Sequence, residues 1–309
     1  MTPTQIANLT VVDPHYHLWD LERASYPWLN ARPSWSGICG DITDICRSYL
    51  LADYIKDHGR WKVAQSVHVE AGYDPHDPVG ESRWIQGIAE KNGMPDGMVA
   101  AAALHQTDVE RILAQHRECA NVRGIRHSIY WHVNPEKSGI DRSDLLTDSA
   151  WTAGFALLKK YDLSFDLSIY PSQMQDAARL AARHPQTSII LNHTGMPIDR
   201  DETGLALWHH GMKTLAARPN VSLKISGLGM VDWTWTTESI RPFVLSAIDY
   251  FGVDRCMFAS NFPVDRLYSS FETLFDAYAE IVQDFTEDEQ RRLFGATAAR
   301  IYRLDCAMR

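Results

Sequence analysis

The feature that most limits the fold of this chain is the regular alternation of short apolar segments with segments of helical pattern. Most of the apolar segments are nearly continuous runs, as expected for strands that are buried on both faces. Strands that alternate with helices form βαβ units around a parallel sheet. The predicted strands are Leu9–Asp13, Lys62–His68, Met98–Leu104, Val122–His127, Leu163–Ile169, Thr187–His193, Val221–Ser226 and Cys256–Ser260.

Eight such units predict an α/β fold, a (β/α)₈ TIM barrel, as a single domain over residues 1–309. A doubly wound parallel sheet is the alternative, but no Gly-x-Gly-x-x-Gly follows the first predicted strand. The predicted helices are Asp44–His58, Ser149–Tyr161, Leu205–Ala217, Ile240–Phe251 and Glu272–Phe285, with capping boxes at Thr107 and Ser172 and a helix cap at Thr286.

The segment from Asp20 to Asp44 interrupts this alternation directly after the first predicted strand, and it is rich in Pro, Trp, Gly and Ser. Unstructured loops of this length in compact domains are usually functional or disordered. The aromatic residues of the segment argue against disorder. We therefore predict a lid over the mouth of the barrel, with a contact surface between the subunits of a homodimer as the alternative.

The charge of the chain limits its partners. Asp and Glu number 39 against 30 Lys and Arg, a net charge of -9, which argues against nucleic acid or an anionic membrane as a partner. The five cysteines are odd in number and scattered, and the first residues lack the features of a signal peptide. These features predict a cytoplasmic protein with reduced thiols that acts on a small molecule.

Polar residues gather where the predicted strands end, which is where TIM barrels carry their active sites. The second strand ends in His68 and Glu70, the fifth leads to Tyr170, and the eighth leads to Asn261 and Asp265. Seven of the thirteen histidines lie at these ends or just beyond them: His15, His17, His68, His105, His127, His132 and His193. This clustering predicts an active site at the carboxyl end of the barrel.

The pair His15 and His17 forms a His-x-His motif at the end of the first strand. Side chains two residues apart in a strand point to the same side, so both imidazoles are expected to face one metal ion or one substrate. The alternative is a pair of satisfied polar histidines.

Arg126 lies at the end of the fourth predicted strand. In an active site its guanidinium would bind a substrate carboxylate or carbonyl oxygen. An equally acceptable interpretation is a buried ion pair with Asp166 or Glu70.

Taken together, these residues resemble the amidohydrolase superfamily, specifically its amidohydrolase-2 branch of TIM-barrel hydrolases, which includes sugar lactonases, 2-pyrone-4,6-dicarboxylate lactonase and metal-dependent decarboxylases. The resemblance extends over nearly the whole chain. Its motifs are Asp13–Asp20 (DPHYHLWD), Val122–His127 (VRGIRH), Leu191–Gly195 (LNHTG), Phe258–Asp265 (FASNFPVD) and Leu293–Tyr302 (LFGATAARIY).

The resemblance implies that His15, His17 and His193 form the site together with residue 261. The family has Asp at that position, whereas this chain has Asn261. An amide is a weaker metal ligand and a poorer base than a carboxylate. The strand-four lysine of two-metal relatives is also absent. The expected cofactor is therefore one divalent ion, zinc or manganese, on His15, His17 and His193, or no metal.

The resulting functional hypothesis is a hydrolase that opens a lactone or related cyclic ester of a small polar or carboxylated molecule. His15, His17 and His193 would polarise the carbonyl or orient water, with Asn261 beside them and His68 or His127 as the base. Arg126 would bind the oxyanion or a carboxylate. Further pocket residues would be Glu70, Trp131, Tyr170 and Asp265. The alternatives are a metal-dependent non-oxidative decarboxylase of an aromatic or muconate-type acid and a binding protein on an inactive barrel.

Overall fold

The computed structural model describes residues 9–30 and 35–305. Its main feature is an eight-stranded parallel sheet, which confirms the predicted TIM barrel. The strands are β1 (Val11–Tyr16), β2 (Trp35–Ser36), β3 (Gly40–Asp41), β4 (Val63–Val69), β5 (Gly97–Ala101), β6 (Val122–Ser128), β7 (Ser164–Ser168), β8 (Ile189–Leu191), β9 (Val221–Ile225) and β10 (Cys256–Phe258). The order of the eight barrel strands in the sheet is β1-β4-β5-β6-β7-β8-β9-β10.

Helices follow the barrel strands and cover the sheet. They are α1 (Pro27–Asn30), α2 (Leu51–Asp57), α3 (Gly80–Asn92), α4 (Val109–His116), α5 (Ser149–Lys160), α6 (Met174–Arg183), α7 (Glu202–Ala216), α8 (Leu228–Val231), α9 (Thr237–Phe251), α10 (Phe271–Ile281), α11 (Glu287–Arg291) and α12 (Thr297–Ile301). No helix in the described parts of the chain is long and apolar enough to cross a membrane.

The barrel closes where β1 meets the segment that follows β10. The amide of His17 donates to the carbonyl of Phe262 at 2.7 Å, and the amide of Asn261 donates to the carbonyl of His15 at 2.8 Å. The buried carboxylate of Asp13 accepts from the Ser260 hydroxyl at 2.6 Å and from the Tyr54 hydroxyl at 2.8 Å. The two ends of the sheet are therefore joined by both backbone and side-chain hydrogen bonds.

Several predicted boundaries were wrong. The helix predicted at Asp44–His58 is shorter, since α2 begins only at Leu51 after a 3₁₀ turn at Thr43–Ile45. No side-chain cap forms at the start of α4, because the N-cap residue is Asp108 rather than Thr107. The cap predicted at Thr286 is confirmed: its hydroxyl accepts from the Glu289 amide at 3.3 Å.

The prediction also omitted helix α3 between β4 and β5, although Trp84, Ile85, Ile88 and Ala89 have the i, i+1, i+4, i+5 spacing of an amphipathic helix. Its inner face is buried at Ile85 and Ala89. This omission matters because α3 carries a side chain of the candidate site.

The long segment after β1 is joined to other parts of the barrel by side-chain hydrogen bonds to carbonyl oxygens. Trp28 Nε1 donates to Ala71 at 2.8 Å, Trp233 Nε1 donates to Ile38 at 3.0 Å, and the Tyr268 hydroxyl donates to Cys39 at 2.9 Å. The part of the predicted lid at 31–34 lies outside the described residues.

Candidate active site

A cavity of about 760 Å³ opens at the carboxyl ends of the barrel strands. Segments that follow β1, β4, β5, β6, β8 and β10 contribute to its wall. The predicted site residues that line it are His17, Glu70, Arg126, His127, His193 and Asn261. The segment after β1 contributes Trp28, Ile38 and Cys39 to the same wall.

The histidines at the ends of β1 and β8 lie close together. His15 is fully buried, and its ring centroid lies 5.0 Å from that of His17 and 4.6 Å from that of His193. Both His193 and Asn261 have positive φ angles, 54° and 56°, in the left-handed region that residues other than glycine rarely adopt. Backbone strain of this kind is concentrated at functional sites.

The proton position on His17 follows from its neighbours. Nδ1 lies 2.7 Å from the carbonyl oxygen of Val69, which can only accept, so Nδ1 carries a proton. Burial, with the nearby charge of Arg126, lowers the pKa of His17 to about 3. The ring is therefore neutral at neutral pH, and Nε2 carries the lone pair.

Asn261 lies next to that lone pair. Its Oδ1 is 3.4 Å from His17 Nε2, and its Nδ2 donates to Asp265 Oδ1 at 3.3 Å. A protonated His17 would donate to this oxygen as it lies here. The lone pair of the neutral ring is therefore not occupied by a donor from Asn261, whose amide group donates to Asp265 instead.

His15 lies between two cationic side chains. Its Nδ1 is 3.3 Å from Lys224 Nζ, and its Nε2 is 3.4 Å from Arg126 Nη1. Burial and the charge of Lys224 lower the pKa of His15 well below its usual value. Lys224 in turn donates to Asp166 Oδ1 at 2.5 Å, and the Tyr302 hydroxyl donates to the same carboxylate at 2.8 Å. His15 is thus a neutral ring in contact with a buried charge network.

Arg126 is engaged in the ion pair with Glu70 and not with Asp166. Its Nε donates to Glu70 Oε1 at 2.5 Å, and its Nη2 donates to the carbonyl oxygen of Glu70 at 2.5 Å. The Nε–Nη2 edge of the guanidinium is therefore used within the protein, and Nη1 faces His15. Its positive charge still faces the cavity that Arg126 lines.

The two candidate bases differ in position. His127 lines the cavity, and its Nδ1 accepts hydrogen bonds from Trp151 Nε1 at 3.0 Å and from the Leu104 amide at 3.3 Å. His68 is buried behind the wall, with Nε2 3.8 Å from Glu81 Oε1, and burial lowers its pKa to about 3.

Three other predicted residues lie away from the cavity wall. Asp265 is buried and accepts from the Gly227 amide at 3.1 Å, and burial raises its pKa to about 7. Tyr170 is buried with its hydroxyl on the carbonyl of Lys137 at 2.7 Å. Trp131 is half-buried beyond β6.

Glu81, on the first turn of α3, is a site residue that the sequence analysis missed. It lines the cavity, is 5% exposed, and accepts from the Ala71 amide at 2.9 Å. Burial, with repulsion from Glu70, raises its pKa well above the usual 4.5. The apolar spacing of α3 was the signal that would have placed this acid beside the barrel mouth.

The donor set does not fit a firmly bound metal ion. Both ring nitrogens of His15 face cationic groups, and Asn261 offers no negative charge beside His17 and His193. Within residues 9–30 and 35–305, no group of three His, Cys, Asp or Glu side chains has the geometry of a metal site. A divalent ion here would also be repelled by the charges of Arg126 and Lys224.

Comparisons with known proteins cover the whole barrel. The family model described as Amidohydrolase matches residues 12–304. The uncharacterised protein y4mH of Sinorhizobium fredii is 44% identical over 301 residues, which cover 97% of this chain and 100% of that protein. An L-fucono-1,5-lactonase of Burkholderia multivorans is 28% identical over 315 residues, which cover 95% of this chain and 96% of the lactonase. The crystal structure of a Burkholderia multivorans amidohydrolase with bound zinc gives a TM-score of 0.80 at 26% identity, covering 96% of this chain and 100% of that one.

Proposed function

The chain belongs to the amidohydrolase family and is an enzyme of the hydrolase class, and from this premise we propose that it opens the ring of a lactone by attack of water on the ester carbonyl. The observation that carries the proposal is the fixed proton of His17. Because Nδ1–H donates to Val69, the lone pair of Nε2 is available in the cavity at neutral pH.

The residues of the site support each part of this reaction. His17 Nε2 accepts a hydrogen bond from the attacking water and takes its proton as the oxygen bonds to the carbonyl carbon. The guanidinium charge of Arg126 stabilises the oxyanion that forms. When the ring C–O bond breaks, the proton passes to the departing alkoxide oxygen, and the product is a hydroxy acid. Asn261 Oδ1 can accept a hydrogen bond from His17 Nε2 once the ring has taken the proton.

The charges around the cavity favour a neutral, hydroxylated lactone over a carboxylated one. Arg126 is already paired with Glu70 through its Nε–Nη2 edge, so its charge is offset and it attracts a second carboxylate less strongly. The cavity wall also carries Glu70 and Glu81. Their carboxyl groups can form hydrogen bonds with the hydroxyl groups of a substrate, but they disfavour the binding of an anion. A sugar lactone has this chemistry, in agreement with the name of the Burkholderia lactonase.

Decarboxylation of an aromatic or muconate-type acid has less support. A metal-dependent decarboxylase would require a firmly held metal ion, and neither His15 nor Asn261 has the surroundings of a strong ligand here. No observation in the site favours it over hydrolysis.

The test is a panel of neutral aldonolactones and carboxylated pyrone or muconolactone substrates, with hydrolysis followed by a pH indicator. We expect turnover with neutral sugar lactones, and a loss of roughly 100-fold or more in kcat/KM in a folded His17→Ala variant. The matched control is His210→Ala, an exposed histidine on α7, which should keep full activity. Turnover of no lactone, or equal rates for wild type and His17→Ala, would refute the proposal.

A further inference from the structure

The ring of His127 has only one polar atom that can serve a ligand. Its Nδ1 receives two hydrogen bonds, from Trp151 Nε1 at 3.0 Å and from the Leu104 amide at 3.3 Å. Both partners are N–H groups and can only donate. Nδ1 must therefore carry the lone pair, and the proton of the neutral ring lies on Nε2.

The ring stays neutral at neutral pH. Burial, with the neighbouring His105, lowers the pKa of His127 to about 4. Nε2–H has no hydrogen-bond partner within the described parts of the chain, although His127 forms part of the cavity wall. His127 is half-buried, so its Nε2–H can donate to an oxygen of a ligand that enters the cavity.

The orientation of the ring is fixed by two aromatic neighbours. Trp151 lies edge to edge with it, with ring planes 25° apart and centroids 6.5 Å apart, and His105 stacks on it with centroids 5.5 Å apart. Trp151 is fully buried at the first turn of α5, where its amide is capped by Asp148 at 2.9 Å. The indole is therefore an immobile donor behind a ring that cannot rotate freely.

His127 and Arg126 are consecutive in β6, so their side chains lie on opposite faces of the strand. Arg126 points to His15 and the reacting end of the cavity. His127 points outward to α5, beside the part of the wall made by Ala102, Ala103 and Gln106. Its N–H is therefore placed to contact a substrate oxygen remote from the carbonyl under attack.

We propose that His127 is a hydrogen-bond donor to a ring or hydroxyl oxygen of the substrate, and that Trp151 is the positioning residue that fixes its tautomer. The substrate part of this inference rests on the proposed lactonase function. It replaces the role of general base considered for His127, because a ring whose lone pair already accepts from Trp151 cannot take a proton from water.

The first measurement needs no turnover. Nitrogen-15 NMR of protein with labelled histidine reports which ring nitrogen carries the proton. We expect wild-type His127 to show a protonated Nε2 and an unprotonated Nδ1 with no titration between pH 6 and 8. The Trp151→Phe variant keeps only the longer contact with the Leu104 amide and should show a larger share of the Nδ1–H tautomer than the wild type. A wild-type signal from Nδ1–H, or from a doubly protonated ring, would overturn the tautomer assignment.

The second measurement uses two substitutions that imitate different ring nitrogens. His127→Gln places an amide near the position of Nε2 and should keep KM close to the wild-type value. His127→Asn places an amide near Nδ1 and should raise KM roughly 3- to 10-fold, the worth of one hydrogen bond, with kcat changed less than about 2-fold. Trp151→Phe should raise KM in the same direction. Equal KM values for the Gln and Asn variants, or a loss mainly in kcat, would overturn the donor role.

The two proposals fail separately. If the wild-type protein hydrolyses no lactone, the proposed function fails while NMR still decides the tautomer. If it hydrolyses lactones but NMR shows Nδ1–H, the lactonase proposal stands and the donor role of His127 is wrong.

Discussion

At the scale of single residues, the cavity contains two neutral histidines with opposite proton positions. The carbonyl of Val69 holds the proton of His17 on Nδ1, whereas the indole of Trp151 leaves the proton of His127 on Nε2. One ring therefore accepts and the other donates. Ester hydrolysis needs both kinds of group, and here each is set by a neighbour that lies behind the cavity wall.

Asn261 sets the expected metal dependence. Because it supplies an amide beside His17, metal should bind weakly, and a chelator should leave much of the wild-type activity. Asn261→Asp should raise the affinity for zinc, since it restores a carboxylate next to the histidines. The measurement is metal content after zinc loading and dialysis, together with kinetics before and after chelation.

The control for this comparison is Asn92→Asp, which adds the same charge at an exposed position on α3. Stoichiometric metal in the wild type, with activity abolished by chelation and restored by zinc or manganese, would show that the interpretation of Asn261 is wrong.

Much of the barrel could be predicted from residue order, because buried parallel strands have a distinctive apolar pattern and their ends carry polar side chains. His17, His193 and Asn261 line one cavity, and their role in catalysis stays a prediction. Proton positions could not be predicted, since they depend on Val69 and Trp151, which approach from other strands and helices. The partner of Arg126 also needed the structure, because Asp166 lies on the neighbouring strand β7, whereas Glu70 follows β4, two strands away on the other side.

At the scale of elements, α3 shows how a helix on the outer layer can contribute to the site. Its first turn starts near the barrel mouth, so Glu81 points into the cavity while Ile85 and Ala89 pack inward farther along. The helix therefore brings a buried carboxyl group into a region that already holds Glu70. Two buried carboxyl groups so close together lower the stability of the folded protein by an amount that depends on pH.

The sign of this dependence follows from the raised pKa of Glu81. A carboxyl group whose pKa is higher in the folded than in the unfolded state stabilises the fold at pH values below its usual pKa of 4.5. This stabilisation is lost as the pH rises. Wild type should therefore lose free energy of unfolding relative to Glu81→Gln as pH rises from 4.5 toward neutrality, by at most about 1.4 kcal/mol per pH unit. Urea denaturation at several pH values measures this difference.

Glu90→Gln, at an exposed position on the same helix, is the matched control and should follow the wild-type curve. Parallel curves for wild type and Glu81→Gln would contradict a raised pKa for Glu81 in the folded protein.

At the scale of the whole molecule, the interior of the barrel contains charged groups as well as apolar ones. Lys224, Asp166 and Tyr302 are fully buried and hydrogen-bonded together, and they connect β9, β7 and the residue after α12. Buried charges are tolerated when their hydrogen bonds are satisfied. The carboxyl-terminal part of the chain is therefore attached to the centre of the barrel through a polar contact.

Removal of the Tyr302 hydroxyl should show how much this polar contact contributes to the stability of the protein. Tyr302→Phe keeps the ring over Lys224, whose Nζ lies 5.0 Å from the ring centroid, but leaves Asp166 with one donor fewer. We expect the free energy of unfolding to fall by about 1–3 kcal/mol. Tyr161→Phe, at a half-buried tyrosine on the outer surface, should change it by less than about 0.5 kcal/mol. Equal small effects of both substitutions in urea denaturation would refute the importance of this contact.

The closure of β1 against the segment after β10 has a consequence for biosynthesis. Asp13 contacts Ser260, 247 positions later in the sequence, and His17 lies beside Asn261. During translation the first strand leaves the ribosome long before its partner has been made. A nascent chain that ends before Asn261 therefore lacks both the closed barrel and the complete cavity, so catalytic competence should arise only when nearly the full polypeptide has been synthesised.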